Sequence, residues 1–206
     1  MNIWHMFLQR FPAVYFFNQI LRGLGGGAPT KKIESVHARF RIDKAELCLD
    51  IGCGNNPKNL FQCKKVLGLD LVENIELDII KCHLGFQRIP FDDSRFDYVT
   101  AYDVLEHIPK SGDSPDGLHA PFIFLMNEVY RVLKPGGLFV SLTPVYPYLG
   151  AFQDPTHNNI MTSKTLELYF SNKKFPIAEH YGIQTNYEIL YQKLHEQHLL
   201  SFMRKN

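Results

Sequence analysis

Leu49-Asp-Ile-Gly-Cys-Gly-Asn-Asn-Pro57 governs the reading of the whole chain. The run Glu46–Ile51 reads as a buried strand and leads straight into Gly52-x-Gly54, where two missing β-carbons let a ligand approach the backbone. Asn56 offers a helix cap and Pro57 suits a first helical position. A helix is therefore expected there, its free N–H groups facing the crevice at the strand ends. Twenty residues beyond Asp50, Val66-Leu-Gly-Leu-Asp70 closes a second strand with a carboxylate suited to both hydroxyls of a ribose.

Two residues choose among nucleoside ligands. A dinucleotide site wants G-x-G-x-x-G, and here the third glycine position is Pro57. Asp50, two residues before the first glycine, would repel a pyrophosphate but suits a ligand that carries an ammonium group. S-adenosylmethionine has such a group beside a cationic sulfonium, so it is the expected ligand, with S-adenosylhomocysteine as its product.

The surrounding chain alternates strand and helix. Lys65–Asp70, Phe96–Ala101 and Leu138–Thr143 read as further buried strands. Met126–Leu133 is helical, with Leu125, Val129 and Leu133 on one face, and Lys134-Pro-Gly-Gly137 stops it. Such alternation predicts an α/β architecture, a parallel sheet covered on both faces. Tyr187–Lys193 and Gln197–Arg204 are joined by too few residues for a parallel crossover, so they predict a terminal antiparallel hairpin.

Composition narrows the function class. The 206 residues carry 22 Lys and Arg against 21 Asp and Glu, a net charge of +1 that lacks the basic excess of a nucleic-acid binder. With 45% hydrophobic and 21% charged residues, disorder is excluded as the general state. Cys48, Cys53, Cys63 and Cys82 show no CxxC spacing, which fits a reduced, cytoplasmic protein. The apolar N-terminus is interrupted by Gln9, Arg10, Pro12, Asn18 and Gln19, so no transmembrane segment is expected. Residues 1–22 read instead as a helical flap, with contact to a membrane surface as the alternative. Gly23–Pro29 reads as a joint, and the expected division is an N-terminal segment 1–45 followed by a ligand-binding domain 46–206.

Five segments recur in a characteristic order: LDIGCGNNP (49–57), GLD (68–70), IPFDDSRFD (89–97), YDVLEHI (102–108) and EVYRVLKPGG (128–137). In them the sequence resembles the class I S-adenosylmethionine-dependent methyltransferases, closely over residues 45–170 and loosely beyond. The resemblance implies a three-layer α/β/α Rossmann-like fold with a seven-stranded, mostly parallel sheet and the terminal hairpin. It also implies roles for particular residues. Asp50, Gly52 and Gly54, with Cys53 between them packed on the strand, would lie under the methionine and ribose. Asp70 would take the ribose hydroxyls, with Leu71 flanking the adenine. Ala101, Tyr102 and Asp103 would line the methionine side. One departure stands out: only seven residues separate Asp70 from Asp78, too few for the helix that many relatives place there. Either Asp78 is the adenine acid, or that position falls at Cys82 and backbone groups near Ile79–His83 take its place.

Methyl transfer from a sulfonium is an in-line displacement that asks the protein to align an acceptor and exclude water. Candidate bases follow the fourth and fifth strands: His107, and then Asp154 and His157 in the long loop after Thr143-Pro-Val-Tyr-Pro-Tyr148. The structural alternatives are a helix-start histidine and an Asp–Pro turn. No metal site is expected, because His83, Asp103, His107 and His157 lack a ligand spacing such as H-x-x-x-H. The expected activity is transfer of a methyl group to a small-molecule or sugar-like acceptor. A non-catalytic, S-adenosylmethionine-binding partner subunit is the alternative, and the oligomeric state stays open.

Overall fold

The computed structural model describes residues 28–206; the expected flap and all but the last two residues of the glycine joint lie outside the described residues. Helix α1 (Ala28–Phe40) is followed by strands β1 (Leu47–Ile51), β2 (Lys65–Asp70), β3 (Ile79–Lys81) and β4 (Phe96–Tyr102). Then come helix α2 (Pro121–Val132), strand β5 (Leu133–Pro144), the short helix α3 (Thr165–Phe170), and strands β6 (Tyr187–His195) and β7 (His198–Lys205). The strands form one sheet in the order β3-β2-β1-β4-β5-β7-β6. The first five pair in parallel, and β7 runs antiparallel to both β5 and β6. This is the expected seven-stranded sheet with its terminal hairpin.

The pleat explains the two cores. Leu49 and Val99 turn to one face, where Leu125, Met126 and Val129 of α2 and Phe170 of α3 cover them. Their neighbours Cys48 and Tyr98 turn to the other face, covered by Ile33 and Val36 of α1 and by Phe61. Tyr98 also locks α1 in place: its hydroxyl accepts the Ile42 N–H and lies 2.8 Å from His37 Nε2. Residues 28–40 are thus part of the sheet's second cover. Among the described residues, no helix is long and apolar enough to cross a membrane.

Two of the recognised segments hold each other. The Arg131 guanidinium donates to the Ile89 and Phe91 carbonyls and to Glu128 and Asp93, while Glu128 accepts the Ile89 N–H. Residues 89–94 are thereby pinned to α2, an architectural task rather than a chemical one.

The helix expected from Pro57 does not form. Residues 52–64 cross from the end of β1 to the start of β2 as turns. Asn59 brackets Cys63, its side chain donating to the Cys63 carbonyl and accepting the Cys63 N–H. That local turn competes with helix and uses up chain that a helix would need. The connection from β2 to β3 is equally spare, a single 3-10 turn over Ile75–Leu77 capped by Asn74.

The strand order reverses between β2-β1 and β4-β5, so the crevice of an open α/β sheet lies outside the ends of β1 and β4. The register aligns those ends: Ile51 pairs with Leu69 on one side and Ala101 on the other, and Asp70 pairs with Lys81.

Candidate active site

The glycine loop is built on left-handed backbone. Gly52 and Gly54 have φ of +65° and +60°, and the N–H groups of Gly52 and Cys53 both reach the Leu69 carbonyl. A β-carbon at Gly52 would overlap the Val104 side chain. Gly52→Ala is therefore expected to cost roughly 1–2 kcal/mol through its backbone conformation alone, before the clash. Thermal unfolding followed by circular dichroism should show Tm lowered by several degrees in a domain of this size. The same contact sets Val104, and the turn after it, directly against the loop. Cys53 is buried and donates its thiol to the Gly54 carbonyl, leaving only its backbone on the loop surface.

Asp50 lies beneath the loop, fully buried. Its Oδ2 accepts the Lys58 N–H at 2.8 Å, and its Oδ1 accepts the Thr100 hydroxyl at 2.6 Å. Burial pushes its pKa up to about 6, against the lowering pull of these two bonds and the Lys58 charge. Asp70 at the end of β2 accepts the Gly54 N–H on one oxygen and the Leu71 N–H on the other, each at 2.7 Å. A carboxylate has about four acceptor positions, so two remain for ribose hydroxyls. Leu71 beside it is exposed, available to an aromatic base.

Asp78 is not brought into this group. It precedes β3 and bonds to Lys65, the first residue of β2, at 2.9 Å. Cys82 stands instead at the end that carries Asp70, its N–H bonded to the Asp70 carbonyl at 2.8 Å. The register between β2 and β3 makes this choice; spacing in the sequence allows either.

On β4, Ala101 is buried and the hydroxyl of Tyr102 is buried without a hydrogen-bond partner among the described residues. Lys58 Nζ lies 5.3 Å from the centre of the Tyr102 ring. Asp103, at φ +49°, places Oδ1 3.1 Å from Nε2 of His198. Burial works against the His198 imidazolium, but Asp103 more than offsets it and raises the pKa. Buried glycine-loop carboxylate, open ribose acceptor, exposed Leu71 and orphaned Tyr102 hydroxyl together fit a cationic nucleoside such as S-adenosylmethionine.

The three candidate bases do meet. A 3-10 turn, Leu105–His107, follows Asp103, and the loop after β5 folds over it. The rings of His107 and His157 lie 4.8 Å apart at 78°. Asp154 Oδ1 accepts both the hydroxyl and the N–H of Thr156, and Thr156 Oγ1 lies 3.0 Å from His107 Nδ1. These bonds hold Asp154 below the usual carboxylate range despite its partial burial. Burial, with His157 nearby, lowers the His107 pKa and keeps that imidazole neutral near pH 7. Glu106 sits behind them, buried, accepting the Thr143 hydroxyl at 2.8 Å; burial and then Asp103 hold it well above the usual carboxylate range.

His157 does not cap the following helix; its Nδ1 faces the Ala151 carbonyl at 3.2 Å. His83 lies apart, stacked on Phe86. Sequence reasoning missed Glu106, Thr143, Thr156 and His198. Thr156 had a signal, since an Asp two residues earlier favours an Asx turn. His198 had none, because it arrives from the terminal hairpin.

A family model described as a methyltransferase domain matches residues 49–141. Squalene methyltransferase 1 of Botryococcus braunii is 33% identical over 145 residues, 62% of this chain and 35% of that protein. A demethylmenaquinone methyltransferase of Staphylococcus epidermidis is 29% identical over 134 residues, 57% of this chain and 51% of that one. The chain thus spans about a third to a half of the length of these relatives. Among solved structures, a SAM-dependent methyltransferase from Archaeoglobus fulgidus matches with a TM-score of 0.55 at 18% identity, over 94% of this chain and all of that one. Residues 49–141 thus match a methyltransferase domain, and the seven-stranded sheet has the fold of a SAM-dependent methyltransferase.

Proposed function

We propose that this protein binds S-adenosylmethionine through Asp50, the Gly52–Gly54 loop, Asp70 and Leu71, and transfers its methyl group to a small apolar acceptor. The observation that carries the reading is the contact of Val104 with Gly52, which sets the turn bearing His107 against the glycine loop. When bound, S-adenosylmethionine supplies an electrophilic methyl group. The protein's own part is to orient the acceptor and receive its proton. Neutral His107 is the base, positioned by Thr156 and Asp154, with His157 beside it. Ala101, Tyr102 and Asp103 flank the methionine portion. The backbone after Cys82, rather than Asp78, takes the adenine edge.

Tyr146, Leu149 and Phe152, all exposed in the loop after β5, offer an apolar rim to an acceptor. They favour a ring or hydrocarbon acceptor over a sugar-like one, in keeping with relatives named for squalene and demethylmenaquinone. The four free, buried cysteines favour a reducing, cytoplasmic compartment.

The test is transfer of labelled methyl from S-adenosylmethionine to a panel of phenolic, quinol and isoprenoid compounds. Labelled product from wild type, falling at least about tenfold in His107→Gln with S-adenosylhomocysteine affinity retained, is the expected result. Tight cofactor binding with no labelled acceptor would favour the non-catalytic partner subunit.

A further inference from the structure

Glu106, His107 and His157 each bring a possible metal-ligating atom into one space, all within 4.8 Å of one another. The bonds around them decide which histidine nitrogens are available. Thr156 Oγ1 has one proton and gives it to Asp154 Oδ1 at 2.6 Å, so toward His107 it can only accept. Nδ1 of His107 therefore carries the hydrogen, and Nε2 is left with its lone pair. The Ala151 carbonyl likewise only accepts, so His157 Nδ1 is the protonated nitrogen and its Nε2 is also a bare donor of electrons. Glu106 is oriented by the Thr143 hydroxyl.

Every member of the group thus has a hydrogen-bond partner outside it. That is the arrangement in which metal-bound histidines and carboxylates are held, with the far ring nitrogen tied to a carbonyl or to a carboxylate-linked group. We propose that Glu106, His107 and His157 form a binding site for a divalent transition-metal ion, of which zinc is the best match. Two imidazole nitrogens and one carboxylate oxygen, with Glu106 releasing to solvent the proton that its burial favours, are a donor set for zinc or cobalt rather than for magnesium or calcium. Bonds of about 2.0–2.2 Å require the donors to draw together by roughly 1 Å. His107 and His157 are only half-buried and can make that adjustment. Three protein ligands leave a fourth position for an acceptor oxygen.

The consequence for catalysis rests on the methyl-transfer reading. With the ion bound, His107 Nε2 is a ligand rather than the base. An acceptor hydroxyl on the ion instead loses its proton to water, at a lower pH than in solution. Its oxygen then forms a bond to the methyl carbon as the carbon–sulfur bond breaks. The bonding pair passes to sulfur and leaves neutral S-adenosylhomocysteine.

The experiment is titration of chelator-stripped protein with zinc by calorimetry, and with cobalt(II) by visible absorbance. One equivalent should bind at micromolar affinity or tighter, cobalt showing the intense bands of a four-coordinate ion. Affinity should fall by about tenfold or more in His107→Gln and in His157→Ala, and in the positioning variant Thr156→Val. His83→Ala should match wild type, and circular dichroism should show all four variants folded. No binding by wild type, or equal binding by the His107 and His157 variants, would overturn the site. Calorimetry with S-adenosylhomocysteine separates the two readings, because cofactor binding without metal binding sinks this site alone. Metal binding without cofactor binding sinks the methyltransferase reading and leaves the site standing. Methyl transfer undiminished in stripped protein would overturn the ion's part in the reaction.

Discussion

Asp70→Ala is expected to lower affinity for S-adenosylhomocysteine by about a hundredfold or more. A hydrogen bond to a charged group contributes about 1.5–3 kcal/mol, and the variant loses two such bonds to the ribose. Even the lower figure, about 3 kcal/mol in sum, exceeds a factor of a hundred. The substitution also frees the Gly54 and Leu71 N–H groups, so the loop under the ligand loses its tether to β2. Asp78→Ala is the paired control. Its carboxylate bonds to Lys65 near the other end of β2, and calorimetry should find cofactor affinity within about threefold of wild type. Equal losses in the two variants would contradict the ribose assignment.

Asp50→Asn should separate stability from binding. Its pKa, raised from 3.8 to about 6, means that holding this buried carboxylate ionised costs roughly 3 kcal/mol. The sign follows from proton counting. Between about pH 4 and pH 6 the native state holds more protons than the unfolded one, so stability falls as pH rises through that window. The cost is fully present above pH 6 and absent below pH 4. Asparagine keeps both bonds: its oxygen accepts the Lys58 N–H, and its amide donates to Thr100 Oγ1. The Thr100 proton then turns to the Leu49 carbonyl, 3.5 Å away.

At pH 7.5, Asp50→Asn is therefore expected to raise stability by about 1–3 kcal/mol, read as a rise in Tm of several degrees. The same change removes the negative charge that answers the ammonium of S-adenosylmethionine, and affinity should fall by about tenfold or more. In wild type, protonating Asp50 should do likewise, weakening binding by about tenfold for each pH unit below about 6. The profile should be flat in the variant. Calorimetry from pH 5 to pH 8 reads both, and a wild-type affinity unchanged over that range would remove Asp50 from the binding argument.

Much of the sheet is legible along the chain, because the pattern there is local. Buried strands are short apolar runs, and Gly136, at φ +77°, lies in the exposed first turn of chain after the helix ends at Val132, inside β5 rather than before it. The helix expected from Asn56 and Pro57 shows how local signals mislead. Good capping residues permit a helix, but the Asn59–Cys63 turn and the short crossing to β2 leave it no room. Asp78 and Cys82 show a second limit. A three-residue strand has almost no pattern of its own, and its register comes only from pairing Gly68 with Ile79.

The glycine turn, the acids at Asp50 and Asp70, and the alternation of strand with helix follow from residue chemistry within a few positions of each group. They were enough to specify the sheet and a cationic nucleoside ligand. The other half of the site depends on contacts between distant parts of the chain: His107 with Thr156, Glu106 with Thr143, Asp103 with His198. Such pairs form only when strand register and loop path bring residues 37 to 95 positions apart within about 3 Å. No periodicity in the sequence encodes that approach. Tertiary packing alone decided that Asp154, His107 and His157 would lie together, and that Asp78 would stand apart from Asp70 and the glycine loop.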